Sequence, residues 1–175
     1  MRVAATLALT MSLLATGASA QDAVPGLRGA VAAGSAPFTF LGFRVYEARL
    51  WVSPGFRQST LGSAALALEL AYDRSFSGAD IARRSIEEMQ RAGGIDAAQP
   101  QRWETSLRAL LPDVKPGDRL LGVHRPGQGA EFYRDGRALG HIDDPEFSRR
   151  FFGIWLGPST SAPALRESLL AGTPP

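Results

Sequence analysis

The hydrophobic period changes in blocks along this chain, and the order of the blocks constrains the fold more than any single motif does. After a Gly-, Ala- and Pro-rich lead-in at 21–37, strand-like alternation runs over 38–52 and again over 64–72. Two helix-like stretches follow, and then the alternation returns. Because strands and helices come in groups, the order predicts an α+β fold with a mainly antiparallel sheet and argues against a parallel Rossmann-type sheet.

The two helix-like stretches have recognisable ends. Ser77 is placed to cap the first helix, with Asp80 in the capping-box position, and Gly93-Gly94 stops it. The second helix is predicted over about 100–111, where Trp103 begins an apolar face with helical spacing. Both helices therefore have one apolar face to bury.

The second half of the chain predicts a strand and then a hairpin. The strand covers 119–125, and Asp135-Gly136 is typical of a type I′ turn between strands at 131–134 and 137–142. This turn is the strongest local signal in the sequence.

Two more helices are predicted after the hairpin. Asp144 is placed to cap the first of them, with Pro145 at its opening position, and the last helix contains Leu165 and Leu169. With the helices packed on one face of the sheet, the layer between helices and sheet is the expected place for a pocket.

The first twenty residues have the three parts of a secretory signal peptide. Arg2 supplies a positive charge, an uncharged apolar run starts at Val3, and Ala18-Ser19-Ala20 is a small-residue cleavage site before Gln21. The uncharged run could also span a bilayer as an anchor, but no basic cluster follows it. We expect cleavage after Ala20, a single domain over 21–175, no transmembrane segment after cleavage, and a periplasmic or secreted protein.

Composition argues against several classes of protein. The chain has no cysteine, which removes disulfides and thiolate ligands, and its 19 basic residues are scattered among 17 acidic ones, which gives no basic patch for nucleic acid. His124 and His141 lie in separate predicted strands, so we predict no metal site. No phosphate-binding glycine motif and no nucleophile elbow occur, and we predict no cofactor.

Arginine and tyrosine residues close to the predicted pocket are the candidates for ligand contact. Arg44 and Tyr46 are expected on one face of the first strand, while Tyr72 and Arg74 end the next one. An arginine fork and a phenol beside an apolar pocket would suit a carboxylate. In the alternative interpretation, Arg44 pairs with Glu69 across the strands and the tyrosines pack in the core.

Two glutamates stand next to each other in the first predicted helix. Glu87 and Glu88 point about 100 degrees apart on a helix, so we interpret them as a solvated face and not as an acid–base pair.

Four segments, taken in order, resemble the bacterial chalcone isomerase-like family. They are 40–51 (FLGFRVYEARLW), 68–74 (LELAYDR), 132–136 (FYRDG) and 147–157, which ends in IWLG. The resemblance implies an open-faced β-sandwich, in which helices cover one side of a large antiparallel sheet. It also implies one of two functions: plant chalcone isomerases close a chalcone to a flavanone, whereas other members bind fatty acids in the same cleft.

The resemblance also implies which residues would have to do chemistry. The hydroxyl and amide groups of the enzymes fall near Leu41, Ile81, Glu88 and Ile154, none of which can replace them. Arg28, in Gly26-Leu27-Arg28-Gly29, is the counterpart of the family's arginine.

We therefore predict no catalytic residues and a site that binds a small apolar or fatty-acid-like ligand through Arg28, Tyr46 and Arg74. The alternatives are an isomerase acting on a chalcone-like substrate, and an envelope interaction protein with a filled core and no ligand.

Overall fold

The structure, a computed structural model, describes residues 24–175. The predicted signal peptide lies outside the described residues. The sheet has six antiparallel strands in the order β1-β2-β3-β4-β5-β6, so that each strand pairs with the next one along the chain. The strands are β1 (Val31–Phe40), β2 (Phe43–Val52), β3 (Leu66–Tyr72), β4 (Arg119–Arg125), β5 (Gly129–Arg134) and β6 (Arg137–Ile142). The helices are α1 (Gly78–Arg91), α2 (Gln99–Leu110), α3 (Pro145–Leu156) and α4 (Pro163–Leu170).

The main core lies between one face of the sheet and helices α1–α4. Leu50, Leu68 and Phe132 face this layer from the strands, and Trp103 and Phe147 enter it from the helices. Trp103 and Phe147 are almost completely buried and their rings meet edge to face. The predicted α+β fold, an antiparallel sheet covered by helices on one face, is confirmed.

A smaller apolar cluster lies on the opposite face of the sheet. Val24 and Leu27, in the segment before β1, pack there against Ala67, Leu121 and Val123. This contact fixes where the lead-in runs, namely across the face of the sheet that lies away from the helices.

The helix caps expected from the sequence are present. The Ser77 hydroxyl accepts from the Asp80 backbone N–H at 3.0 Å, and the Asp144 carboxylate accepts from the backbone N–H groups of Glu146 and Phe147 at 3.0 Å each. The Trp103 indole also donates to the Asp144 carboxylate at 2.8 Å, which links α2 to the start of α3. Within 24–175, no helix has both the length and the apolar character needed to cross a bilayer.

The predicted strand over 38–52 is two strands joined by a tight turn, and part of the predicted irregular lead-in is β1. Phe40 pairs with Phe43 across a loop of two residues, Leu41 and Gly42, both with positive φ. The small residues of β1 have a packing role: a Cβ on Gly34 would lie 2.1 Å from the Ser168 backbone oxygen in α4. Composition was a poor guide here because the strand needs small side chains where a helix crosses it closely.

The expectation that Arg44 and Tyr46 share a strand face is wrong. Phe38 pairs with Tyr46 but Thr39 pairs with Arg44, so Val45 is an extra residue in β2 and the alternation of sides shifts at this bulge. Arg44 turns to solvent and forms ion pairs with Asp73 and Glu47. Its predicted alternative partner, Glu69, lies 3.9 Å from Arg119.

Candidate ligand-binding cavity

A cavity of about 630 Å³ lies in the layer between the sheet and helices α1 and α3. This volume falls in the range of pockets that hold small organic ligands. Its walls are mainly apolar, with Leu68, Leu70 and Phe132 on the sheet side and Ile81, Phe151 and Ile154 on the helix side. The arrangement can accept an apolar body of moderate size.

Two tyrosine residues line this cavity from neighbouring strands. Tyr46 and Tyr72 are direct cross-strand partners, with ring centroids 5.9 Å apart in an edge-to-face arrangement. The Trp155 indole N–H donates to the Tyr46 hydroxyl at 2.9 Å. Because an indole nitrogen can only donate, this bond uses the tyrosine oxygen and leaves its O–H hydrogen free to donate to a ligand.

Both phenols keep their protons at neutral pH. Burial raises the pKa of Tyr46 to about 12, against a smaller lowering effect of the hydrogen bond from Trp155. Burial raises the pKa of Tyr72 even further, and the neighbouring Tyr46 adds to the shift. The pair is therefore a set of two neutral hydrogen-bond donors at one end of an apolar cavity.

Glu88 lies in the cavity wall and is buried, which corrects its interpretation as part of a solvated face. The side chain is 8% exposed, and Arg84 and Arg91 form ion pairs with its two carboxylate oxygens. Burial raises the pKa of Glu88, but hydrogen bonds from Arg91 and Ser161 and the charge of Arg84 outweigh it, and the pKa lies below its usual value. The sequence carried a signal for this position, since Glu88 lies two helical turns after Ile81 on the same face of α1.

The mouth of the cavity is formed by the turn between β1 and β2. Phe40, Leu41 and Phe43 line the opening and are strongly exposed. Arg74 also lines it, and its guanidinium lies 4.9 Å from the centroid of the Phe43 ring. The entrance therefore combines an apolar turn with the guanidinium of Arg74.

A second, smaller cavity of about 280 Å³ lies near the other end of the α3 layer, beside His124. The His124 Nδ1 atom lies 2.6 Å from the Ser148 hydroxyl, but Ser148 is completely buried and so offers no exposed nucleophile. Burial lowers the pKa of His124, while the backbone of Gly62 partly offsets the shift. Within the described part of the chain, no three metal-ligating side chains come together.

Most of the chain matches a known protein family. Residues 39–171, most of the chain, match the protein family described as chalcone isomerase-like. The chain belongs to the chalcone isomerase-like family. An uncharacterized protein of Haemophilus influenzae is 29% identical over 140 residues, which cover 80% of this chain and 67% of that protein.

A solved structure shows the same chalcone isomerase-like fold. The crystal structure of a fatty-acid binding protein of Arabidopsis thaliana superposes with a TM-score of 0.65 and 12% sequence identity, covering 82% of this chain and 87% of that one. At this identity the likeness establishes the fold.

The structure brings two of the three predicted ligand contacts to the cavity. Tyr46 and Arg74 line it, whereas Arg28 does not: it is exposed in the lead-in, which Leu27 holds on the opposite face of the sheet. The four positions matched to the polar groups of the chalcone isomerases, Leu41, Ile81, Glu88 and Ile154, all line the cavity. Three of these four side chains are apolar, and the fourth is the ion-paired Glu88.

Proposed function

We propose that this protein binds a fatty-acid-like ligand, with the alkyl chain in the cavity between the sheet and the helices and the polar end near the tyrosines. The observation that carries the proposal is the cavity of about 630 Å³ whose apolar walls end at the free hydroxyl donors of Tyr46 and Tyr72. The fatty-acid binding protein with the same fold supports this ligand class.

The two ends of such a ligand would be recognised by different physics. Each buried methylene contributes about 0.8 kcal/mol to the free energy of binding, so the apolar walls favour longer alkyl chains whatever the headgroup is. The tyrosine donors recognise an acceptor oxygen, and Arg74 supplies a positive charge at the same cavity. The Glu88 carboxylate would repel a ligand carboxylate, but its own charge is neutralised by Arg84 and Arg91.

The binding experiment compares fatty acids with the matching alcohols by displacement of a fluorescent probe. We expect the acid to bind more tightly than the alcohol, and affinity to rise with chain length until the cavity is full. Arg74→Gln should remove the preference for the acid and leave the chain-length trend intact. Equal affinities for acid and alcohol in the unchanged protein would contradict the predicted headgroup contact.

A matched pair of tyrosine variants tests the donors. Tyr72→Phe removes a hydroxyl from the cavity and should weaken binding by about 0.5–1.5 kcal/mol, the usual worth of one hydrogen bond. Tyr133→Phe is the control, because its hydroxyl donates to Glu131 at 2.8 Å and its ring packs on the opposite face of the sheet. Absence of binding by any fatty acid or alcohol would overturn the proposal as a whole.

Export is part of the proposal and rests on the first twenty residues. The protein recovered from a bacterial envelope fraction should have the intact mass of a chain that begins at Gln21. Full-length protein in the cytoplasm would contradict periplasmic or secreted localisation, while leaving the binding proposal unaffected.

A further inference from the structure

The turn at the cavity mouth holds most of the strongly exposed apolar side chains. Within residues 24–175, four large hydrophobic residues are prominently exposed, and three of them belong to this turn. Phe40 is 55% exposed, Leu41 is 80% exposed and Phe43 is 60% exposed. A contiguous apolar patch of this kind marks a surface that contacts something other than water.

Folding of the hairpin does not explain the leucine at the centre of the turn. Leu41 has a φ of 49°, in the left-handed region that disfavours side chains other than Gly, Asn and Asp. Two-residue turns with two positive φ values favour Asn-Gly or Asp-Gly. Leucine therefore occupies a position that the backbone disfavours, and its side chain gains little burial in return.

The charges around the turn are matched, with one exception. Arg44, Arg83 and Arg84 each form ion pairs with neighbouring carboxylates. Arg74 forms no ion pair with any residue in 24–175, and it lies against the ring of Phe43. The uncommitted cation thus sits directly beside the exposed apolar turn, a combination that suits the phosphate layer and the first methylenes of a lipid bilayer.

We propose that the turn 40–43 inserts into the surface of a lipid bilayer, with Arg74 at the level of the phosphate groups and the cavity mouth facing the membrane. A protein partner fits less well, because a stable interface covers about 800 Å² on each side and a four-residue turn is too small to provide it. Docking does not depend on the proposed ligand. Its consequence, direct exchange of ligand between bilayer and cavity, rests on the proposed function.

A label in the turn tests insertion directly, since the chain has no cysteine of its own. Leu41→Cys carries an environment-sensitive fluorophore, and the protein that begins at Gln21 is mixed with vesicles of phosphatidylethanolamine and phosphatidylglycerol. We expect a blue shift and quenching by lipids brominated on their acyl chains. Val31→Cys is the matched control, because Val31 is 48% exposed at the start of β1, the strand that leads into the turn. Equal signals from the two positions would overturn the proposal.

Vesicle sedimentation without added ligand measures the energetic role of the turn. Leu41→Asn keeps a residue that tolerates positive φ and removes the apolar side chain, so it should fold and bind vesicles at least about tenfold more weakly. Arg74→Gln should weaken binding to phosphatidylglycerol vesicles more than to phosphatidylcholine vesicles. Val31→Ser should bind like the unchanged protein.

Two outcomes would overturn membrane docking while leaving ligand binding intact. One is vesicle binding by Leu41→Asn that equals that of the unchanged protein. The other is a dimer in light scattering that becomes a monomer in Leu41→Asn, which would make the turn a contact between two copies of this chain. A third outcome separates the two proposals. If Leu41→Asn loses vesicle binding and the unchanged protein binds no fatty acid, membrane docking is supported and the fatty-acid ligand is contradicted.

Discussion

The indole N–H of Trp155 donates to the hydroxyl of Tyr46 across 2.9 Å, and this bond connects α3 to β2 at the cavity. The bond sets the direction of the tyrosine oxygen, because the indole approaches from the helix side. The Tyr46 ring is held from the other side by Phe38, which stacks on it with a centroid distance of 5.1 Å. The Tyr46 side chain is therefore held in place by contacts from both α3 and β1.

A double-mutant cycle on this pair measures the worth of the bond. Tyr46→Phe and Trp155→Phe should each destabilise the fold, and the double variant should lose less than the sum by about 0.5–1.5 kcal/mol. Urea unfolding followed by circular dichroism gives the four free energies of unfolding. Strict additivity would show that the bond contributes nothing to stability.

Alkaline pH should destabilise the protein through its buried phenols. Because the pKa of Tyr46 is raised from 10.0 to about 12, both the folded and unfolded chains hold this proton below pH 10. Between about pH 10 and pH 12 the unfolded chain loses the proton first, so the free energy of unfolding falls over this window.

Tyr46→Phe should make that fall smaller, and Tyr72, whose pKa is also raised by burial, should account for much of the remainder. Ultraviolet absorbance of the phenolate reports ionisation in parallel with stability. Ionisation of all three tyrosines near pH 10 in the folded protein would contradict the predicted burial.

Acid should also destabilise the protein, through the buried His124. Burial lowers the pKa of His124 below the ordinary histidine value of 6.5, so the unfolded chain takes up a proton first as the pH falls through 6.5. Stability from this group is fully present above that pH and declines below it, until the folded form also becomes protonated. Nuclear magnetic resonance can follow the imidazole directly, and protonation of folded His124 at or above pH 6.5 would refute the prediction.

A glycine in β1 should be intolerant of even one methyl group. The Cβ of Gly34→Ala would meet the backbone oxygen of Ser168 at 2.1 Å, which forces α4 away from the sheet. We expect a loss of about 1–3 kcal/mol in the free energy of unfolding. Gly62→Ala is the control, since no atom lies within 4 Å of its added Cβ, and thermal unfolding of both variants makes the comparison.

Catalysis of chalcone cyclisation should be absent. Leu41, Ile81 and Ile154 line the cavity at the positions matched to the enzymes' polar groups, and hydrocarbon cannot orient a water or transfer a proton. Purified protein mixed with a chalcone should show only the spontaneous rate by absorbance. A rate that rises in proportion to protein concentration, and falls in Glu88→Gln, would establish the isomerase alternative.

Local chemistry explains which parts of the fold were predictable from the sequence. The caps at Ser77 and Asp144 depend on neighbouring residues alone, and both were predicted correctly. The bulge at Val45 lies within the β1–β2 hairpin and leaves no clear periodic signal. The strand around Gly34 needs small side chains because α4, which is distant in sequence, crosses it closely.

The candidate site was predictable to the same limited extent. Tyr46 and Arg74 were placed near the pocket by strand position, whereas Arg28 was assigned through the resemblance. The path of the lead-in is set by burial of Leu27 against the other sheet face, which a local motif does not encode. Two adjacent glutamates on a helix are typical of a solvated face. Glu88 can be buried because Arg84 and Arg91 pair with its carboxylate, and the pattern of glutamates alone does not show this.

The pairing of each strand with its neighbour in sequence has a kinetic consequence. Within β1–β3 and within β4–β6 the strands are joined by short connections, so each group of three can form with little loss of chain entropy. The β3–β4 ladder alone has to close over residues 73–118, which include α1 and α2. Leu70 and Leu120 are direct partners across this ladder, and both line the cavity from the sheet. The floor of the cavity is therefore the seam between two halves of the sheet, and a ligand held there would slow their separation during unfolding.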